Sequence, residues 1–552
     1  MVIGALIALG TALVGALTTH RAEGATGGNV VFILTDDQTA SELAAMPNTQ
    51  ALLVNQGVTF RRAYVSYPLC CPARATLLSG QFMHNHGVRG NLGLYGGWAR
   101  FLPHEPNALP VRMSTAGYYN VHIGKYMNGY TSSGIPPLPV PAGWDEWYAK
   151  ISEDSLYYNY SLIEKSGPGH PAEVAFYGGQ SSDYQTDAFR DKTIDFFDHL
   201  GPNQQPFMLN VWFNAPHGPF EPAPRHLFTE SSAPLSKPPG FNEKDISDKP
   251  RWLRKQARRR LGKNALRLIN AERRRRMEQL LSVDEAVGRI VNDLAGRGLL
   301  NDTYIVFASD NGFFRGEHRI AGGKYLPHEP SSRVPLVIRG PGIPAGTSDE
   351  LASLTDVPQT ILDIAGAPDP ALDGRSLLPY AQNPALRSSR PLLLEGDTGP
   401  GGGGAGDPAT ATSARASVAR VGLARKRGVK DLDQERNPIA SLALSNGNRA
   451  PAYKAIRTDR YLYVLYANGQ TELYDMRRDP AQLNSLASNR RFKPVRKYLY
   501  ANLVPLSSCA GASCRVEIGA EPKPLKRKKP KRKRKGRPKG KSQPKSARRA
   551  GR

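Results

Sequence analysis

Hydrophobic positions fall along this chain in two rhythms. Near-continuous runs of β-branched and large apolar residues, Asn29 to Gln38 (NVVFILTDDQ) and Asp302 to Gly312 (DTYIVFASDNG), end abruptly on polar pairs. Such runs are what strands buried on both faces of a parallel sheet require. YNVHIG, FMLNVWF and RVPLVIRG are further strand candidates. Met277 to Gly298 instead has a helical period, with Val283, Val287, Ile290, Val291 and Leu294 on one face. Alternating strands and helices predict an α/β layer fold. Asp36-Asp37 and Asp310-Asn311 then lie beyond the carboxyl ends of strands, where open parallel sheets gather ligands.

The rhythm breaks at a Gly-rich segment, 396–417, which reads as a flexible surface loop. Beyond it, AYKAIRTDRYLYVLYANGQTELYD alternates apolar and polar positions around an Asn-Gly turn, the pattern of an antiparallel hairpin. The chain therefore divides into a large domain over 29–390 and a smaller subdomain over 391–515. Cys509 and Cys514 are candidates for a local disulfide in an exported protein. At the other end, Val2 to Leu17 is an apolar run followed by small residues, which reads as a signal peptide over 1–25 and a secreted or surface location. It lacks a basic start, so a signal anchor or a misplaced start codon is the alternative.

Charge changes the picture less than its total suggests. The formal charge is +26, yet 522–552 holds 17 basic residues and no acid, and Arg251 to Arg276 holds 12 against one Glu. The remainder is almost neutral. The tail, rich in Pro and Gly without an aromatic, reads as disordered, either solubilising or tethering the protein to a cell-surface polyanion. No nucleic-acid partner is expected of an exported chain. The 251–276 patch has helical spacing and reads either as a solvated face or, with the tail, as a surface for a polyanionic substrate.

Candidate chemistry centres on PLCCPARATLLSG, Pro68 to Gly80. Adjacent cysteines are poorly placed to bridge each other. They precede a helix that Pro72 is suited to start, and the unpaired N–H groups there favour an anion, with Arg74 adding a fixed charge. On residue physics alone this reads equally as a reactive thiol or anion site and as a structural helix start.

CCPARATLLSGQ resembles the Cys-x-Pro-x-Arg signature of the type I sulfatases, with Ala73 in place of the commoner serine. TDDQ (35–38), GKYMN (124–128), APHGPFEP (215–222), SDNG (309–312), GGK (322–324) and RVPLVIRGPG (333–342) follow the family's order. The resemblance covers roughly 29–491. CCP, MHNHGV (83–88) and GKYMN together look most like the branch of glucosamine-6-sulfatases that act on heparan-type glycans.

The resemblance implies an alkaline-phosphatase-like three-layer sandwich with a large mixed, mostly parallel sheet, plus a small C-terminal α+β subdomain. It implies a sulfuric ester hydrolase acting on a sulfated small molecule or glycan. A formylglycine-generating enzyme would convert Cys70 to Cα-formylglycine, whose hydrate attacks sulfur and then collapses to expel sulfate. Asp36, Asp37, Asp310 and Asn311, with the modified Cys70, would hold Ca²⁺ or Mg²⁺, which all-oxygen ligands suit. Either polar pair alone is an ordinary strand-end turn. Arg74 would pin the nucleophile, Lys125 and Lys324 would neutralise sulfate oxygens, and His217 would protonate the leaving alcohol. Many family members carry a histidine two residues after the lysine of GKYMN, where Met127 stands followed by Asn128, so the base for sulfate elimination is unassigned. His84 and His86 read equally as sugar contacts and as caps of the helix after the nucleophile. Two rivals stand beside this reading: a phosphodiester or phosphonate monoester hydrolase of the same superfamily, and a non-catalytic polyanion-binding surface protein.

Overall fold

A computed structural model describes residues 27–131, 138–151, 157–201, 205–230, 237–397 and 450–526. The predicted signal peptide, the Gly-rich segment from 398 onward and the tail from 527 lie outside them. Ten strands form the main sheet: β1 (Asn29–Thr35), β2 (Val58–Tyr64), β3 (Tyr119–Gly124), β4 (Glu146–Lys150), β5 (Tyr160–Lys165), β6 (Glu173–Tyr177), β7 (Phe207–Trp212), β8 (Thr303–Ser309), β9 (Leu336–Arg339) and β10 (Gly346–Ser353). Their spatial order is β10-β2-β9-β8-β1-β7-β3-β4-β5-β6.

The centre, β8-β1-β7-β3-β4, is parallel. β9 and β5 run against their neighbours. Every residue of β1 is buried. Val30, Phe32 and Leu34 enter one apolar cluster with the helices Cys70–Ser79 and Asp356–Ile364, while Val31 and Ile33 enter another with Gln185–Asp198 and Lys263–Gly296. Both faces are thus covered, as the uninterrupted apolar runs require. Each side chain so buried contributes about 1.5–3 kcal/mol.

β11 (Leu392–Gly396), β12 (Tyr453–Arg457), β13 (Tyr461–Tyr466) and β14 (Thr471–Asp475) form a separate antiparallel sheet in that order. Asn468-Gly469 turns β13 into β14, with Gly469 at φ +77°. One face packs on the helix Lys493–Leu506 through Val495, Leu499 and Leu503. The other meets Phe314, Leu326 and Leu351 of the main domain. Two buried carboxylates of the small sheet fasten it to the main domain. Glu472 accepts from His328 at 3.0 Å and from Tyr466 at 2.7 Å, and Glu395 accepts from His84 at 3.0 Å and from Lys454. Cys509 and Cys514 are disulfide-bonded, and the Cys509 carbonyl accepts from His84 Nε2 at 2.8 Å. His86 is fully buried, its Nε2 3.2 Å from the Thr76 hydroxyl. In this structure both histidines are engaged by protein groups around the helix Met83–His86.

Candidate active site

Four adjacent parallel strands end at one place. In register, Thr35 of β1 faces Ser309 of β8, and Trp212 of β7 faces Gly124 of β3. The next residues are Asp36-Asp37, Asp310-Asn311, the segment leading to His217, and Lys125. Gly124 is required at its tip: φ is +117°, and a Cβ there would sit 2.1 Å from the Trp212 carbonyl oxygen. Asp37 adopts φ +71°, a left-handed conformation that aspartate tolerates better than most residues.

The helix bearing the cysteines starts at Cys70, two residues before the position sequence reading gave it. Pro72 sits inside the first turn, where a missing N–H costs no intrahelical bond. Gly80 ends the helix at φ +69°. Cys70 and Cys71 are both free and buried. Cys71 turns away from the strand tips: Asn91 Oδ1 accepts from its N–H at 2.9 Å, its thiol donates to Asn128 Oδ1 at 3.3 Å, and its sulfur accepts from the Asn128 N–H at 3.2 Å. GKYMN thereby clamps the second cysteine, and Asn128, at the end of that motif, is part of this clamp.

Cys70 faces the acidic cluster. Its thiol donates to Asp36 Oδ1 at 3.4 Å, and Lys324 Nζ lies 2.8 Å from its sulfur while also pairing with Asp37. Arg74, fully buried, donates to Asp310 Oδ2 at 2.9 Å, to Asp36 Oδ2 at 3.3 Å and to the Lys125 carbonyl at 2.6 Å. Its guanidinium therefore binds the carboxylates directly. Lys125 pairs with Asp36. His217 forms the open wall, its side chain 30% exposed and its Nε2 3.8 Å from Asp37 Oδ2. Its Nδ1 donates to the Gly218 carbonyl at 2.6 Å, which leaves Nε2 facing the site. The structure thus brings together Asp36, Asp37, Cys70, Arg74, Lys125, His217, Asp310, Asn311 and Lys324.

Burial opposes ionisation of Asp36 and Asp310, and the charges around each decide its outcome. Asp36 is held well below its ordinary value because Lys125, His217, Arg74 and Lys324 outweigh its desolvation. Burial and the charge of Asp36 push Asp310 up to about 6. Burial and Asp36 also push the Cys70 thiol far up, so this setting disfavours a thiolate. Burial pushes the His217 imidazole down.

The residues fit a divalent cation. Carboxylate oxygens of Asp36, Asp37 and Asp310 lie within 4.8 Å of one another. Asn311 Oδ1 is buried and lacks a hydrogen-bond partner, an orphan acceptor beside that cluster. Three carboxylates and an amide oxygen are a hard donor set, suited to Ca²⁺ or Mg²⁺.

Sequence reasoning missed the layer beneath. Arg276 is fully buried, with Nη2 donating to the Asp37 carbonyl at 2.6 Å and Nη1 to the Pro216 carbonyl at 3.2 Å. Glu42 receives it at 3.1 Å and also receives Arg315. Both readings of the 251–276 patch place its charges at the surface, and at Arg276 the side chain is buried instead. The only available signal was the end of a basic run where the apolar face of a long helix begins.

Parallel strands with paired carboxylates and cations gathered at their tips make a site suited to an anionic group. The sulfatase family model matches residues 28–367, and the chain belongs to that family. It is an enzyme, a sulfuric ester hydrolase. It is 33% identical over 517 residues to the N-acetylglucosamine-6-sulfatase of Capra hircus, covering 90% of this chain and 86% of the relative. The Homo sapiens enzyme of that name is 33% identical over 510 residues, 88% and 86% of the two chains. Among solved structures, a protein in complex with its substrate D-glucosamine-2-N,6-O-disulfate superposes with TM-score 0.63 at 22% identity, covering 87% and 97%. The phosphonate monoester hydrolase of Agrobacterium radiobacter gives 0.60 at 21% identity, covering 87% and 95%.

Proposed function

We propose that the protein hydrolyses sulfate monoesters on a sulfated sugar or glycan, using formylglycine made from Cys70 and a divalent cation held by Asp36, Asp37, Asp310 and Asn311. One observation carries this reading: Cys70 Sγ, whose position the modified side chain's oxygen would take, sits 2.8 Å from Lys324 Nζ and 3.4 Å from Asp36 Oδ1. Formylglycine supplies a nucleophile that can release sulfate without a second attack at sulfur. The cation supplies Lewis acidity toward the sulfate oxygens.

The chain's own residues bind, orient and move protons. Arg74 neutralises Asp310 and Asp36 from within the core and keeps the two carboxylates side by side. Lys125 and Lys324 are point charges suited to sulfate oxygens. His217, its Nδ1–H fixed on Gly218, presents Nε2 on the solvent side, where a proton there can pass to the leaving alcohol. The N-acetylglucosamine-6-sulfatase relatives support a sulfated amino sugar as substrate class.

A second reading, phosphonate or phosphodiester hydrolysis, draws on the Agrobacterium radiobacter fold neighbour. Parallel turnover of an aryl sulfate and an aryl phosphodiester decides between them: preference for the sulfate supports this proposal, and preference for the diester overturns it. We further read the protein as secreted or surface-bound, with its basic tail holding it to a polyanion. Fractionation of host cells with and without residues 522–552 tests both statements.

A further inference from the structure

We infer that Arg276 is a positioning residue that locks the cation loop and the His217 loop into one rigid unit. This rests on the cation reading given above.

The guanidinium is the meeting point of three segments that carry site residues. Its Nη2 donates to the carbonyl of Asp37, and its Nη1 to the carbonyl of Pro216, directly before His217. Its face lies 5.2 Å from the ring of Phe313, two residues past Asn311, and 5.9 Å from that of Phe220, three residues past His217.

Asp37 is where such a lock matters. It is the left-handed residue of the site, a conformation that costs roughly 1 kcal/mol or more and persists only where neighbours impose it. Its N–H donates to Asp310 Oδ1 at 3.2 Å, and its carbonyl accepts from Arg276 at 2.6 Å. Both ends of the strained peptide are therefore held, one by a carboxylate of the cation cluster and the other by Arg276.

Arg276 is itself fixed. Glu42 accepts from its Nε and Nη2 at 3.1 Å each, and Arg315 and the Thr39 N–H share that carboxylate. Desolvation opposes the Glu42 charge, but Arg276 and Arg315 hold the carboxyl at about 2. A planar fork with several donors can serve two carbonyls and a carboxylate at once; an ammonium on a flexible stem cannot hold that geometry.

The test uses Arg276→Lys in the full-length modified enzyme, with Arg267→Gln, an exposed arginine of the same helix, as control. Calcium chloride is titrated while the melting temperature is read without substrate, and kcat and KM for an aryl sulfate are measured at saturating calcium. Arg276→Lys is expected to raise the half-saturating calcium concentration by about 10–100-fold and to lower kcat more than it changes KM, with the control unchanged. A calcium response and kcat equal to wild type overturn the inference. So does a lower calcium-free melting temperature with unchanged half-saturation, which is what a merely structural role gives. Should Arg276→Lys not fold, Glu42→Gln keeps the shape while loosening Arg276, and is expected to shift half-saturation a few-fold in the same direction; no shift overturns the inference. A wild-type protein that turns over sulfate but ignores calcium overturns the cation reading instead, and an undiminished kcat in Arg276→Lys then overturns this role.

Discussion

Arg74 Nε lies 2.9 Å from Asp310 Oδ2, with both side chains fully shielded from solvent. The same guanidinium reaches Asp36 at 3.3 Å, so one buried cation joins the tips of two adjacent strands. Arg74→Lys keeps the charge but loses the fork, and kcat/KM is expected to fall by at least about 100-fold. Arg74→Met leaves two buried carboxylates short of a partner, and a loss of about 3–5 kcal/mol in denaturant unfolding is expected. An Arg74→Met variant as stable as wild type contradicts the pairing.

Chelation tests the cation cluster without mutation. Exhaustive EDTA treatment is expected to abolish sulfate turnover and lower the melting temperature, with both restored by calcium or magnesium. Asp37→Asn is expected to lose the restoration, because one of three hard anionic ligands is gone. Turnover that survives chelation in wild type contradicts the ligand assignment.

Gly124→Ala adds one methyl where the backbone has φ +117° and the Trp212 carbonyl stands 2.1 Å from the new Cβ. The expected loss is about 1–3 kcal/mol from overpacking, together with lower kcat because Lys125 is displaced. Equal melting temperatures for the two proteins contradict the geometry.

Acid should loosen the small sheet first. Burial favours the neutral Glu395 carboxyl, yet His84 and Lys454 hold it at about 2, below the ordinary 4.5. Its stabilisation is thus complete above 4.5 and is lost as pH falls toward 2. Burial lowers His84, but Glu395 outweighs it and raises the imidazole above 6.5, so that contribution is present below 6.5 and fades as pH rises past the raised value. The link is strongest between these limits, by about 3 kcal/mol on the carboxylate side. Glu395→Gln is expected to flatten the stability profile between pH 5 and about 2.5 in urea unfolding; an unchanged profile contradicts the link.

The parallel centre of the sheet was legible because strands buried on both faces leave unbroken apolar runs, and β1 and β8 do. The Asn468-Gly469 hairpin was legible for a local reason, the left-handed glycine at its turn. The reversed direction of β9 was not, since RVPLVIRG is as apolar as the strands of the parallel centre and direction depends on connections elsewhere. The site's nine residues could be listed from motif order, but their convergence needed the register of four strands. Arg276 stayed hidden because a buried arginine depends on distant partners: Glu42 lies 234 positions away and the carbonyl of Asp37 239. Sequence shows the charge and not the company that permits its burial.

The central claim is that residue 70 no longer carries a thiol in the working enzyme. Trypsin releases 63–74, AYVSYPLCCPAR, which holds both cysteines in one peptide. Protein from its native host, alkylated under denaturing conditions and analysed by mass spectrometry, is expected to show an aldehyde at Cys70 and one alkylated thiol at Cys71, with turnover proportional to that species. Two alkylated cysteines in fully active protein would contradict the account.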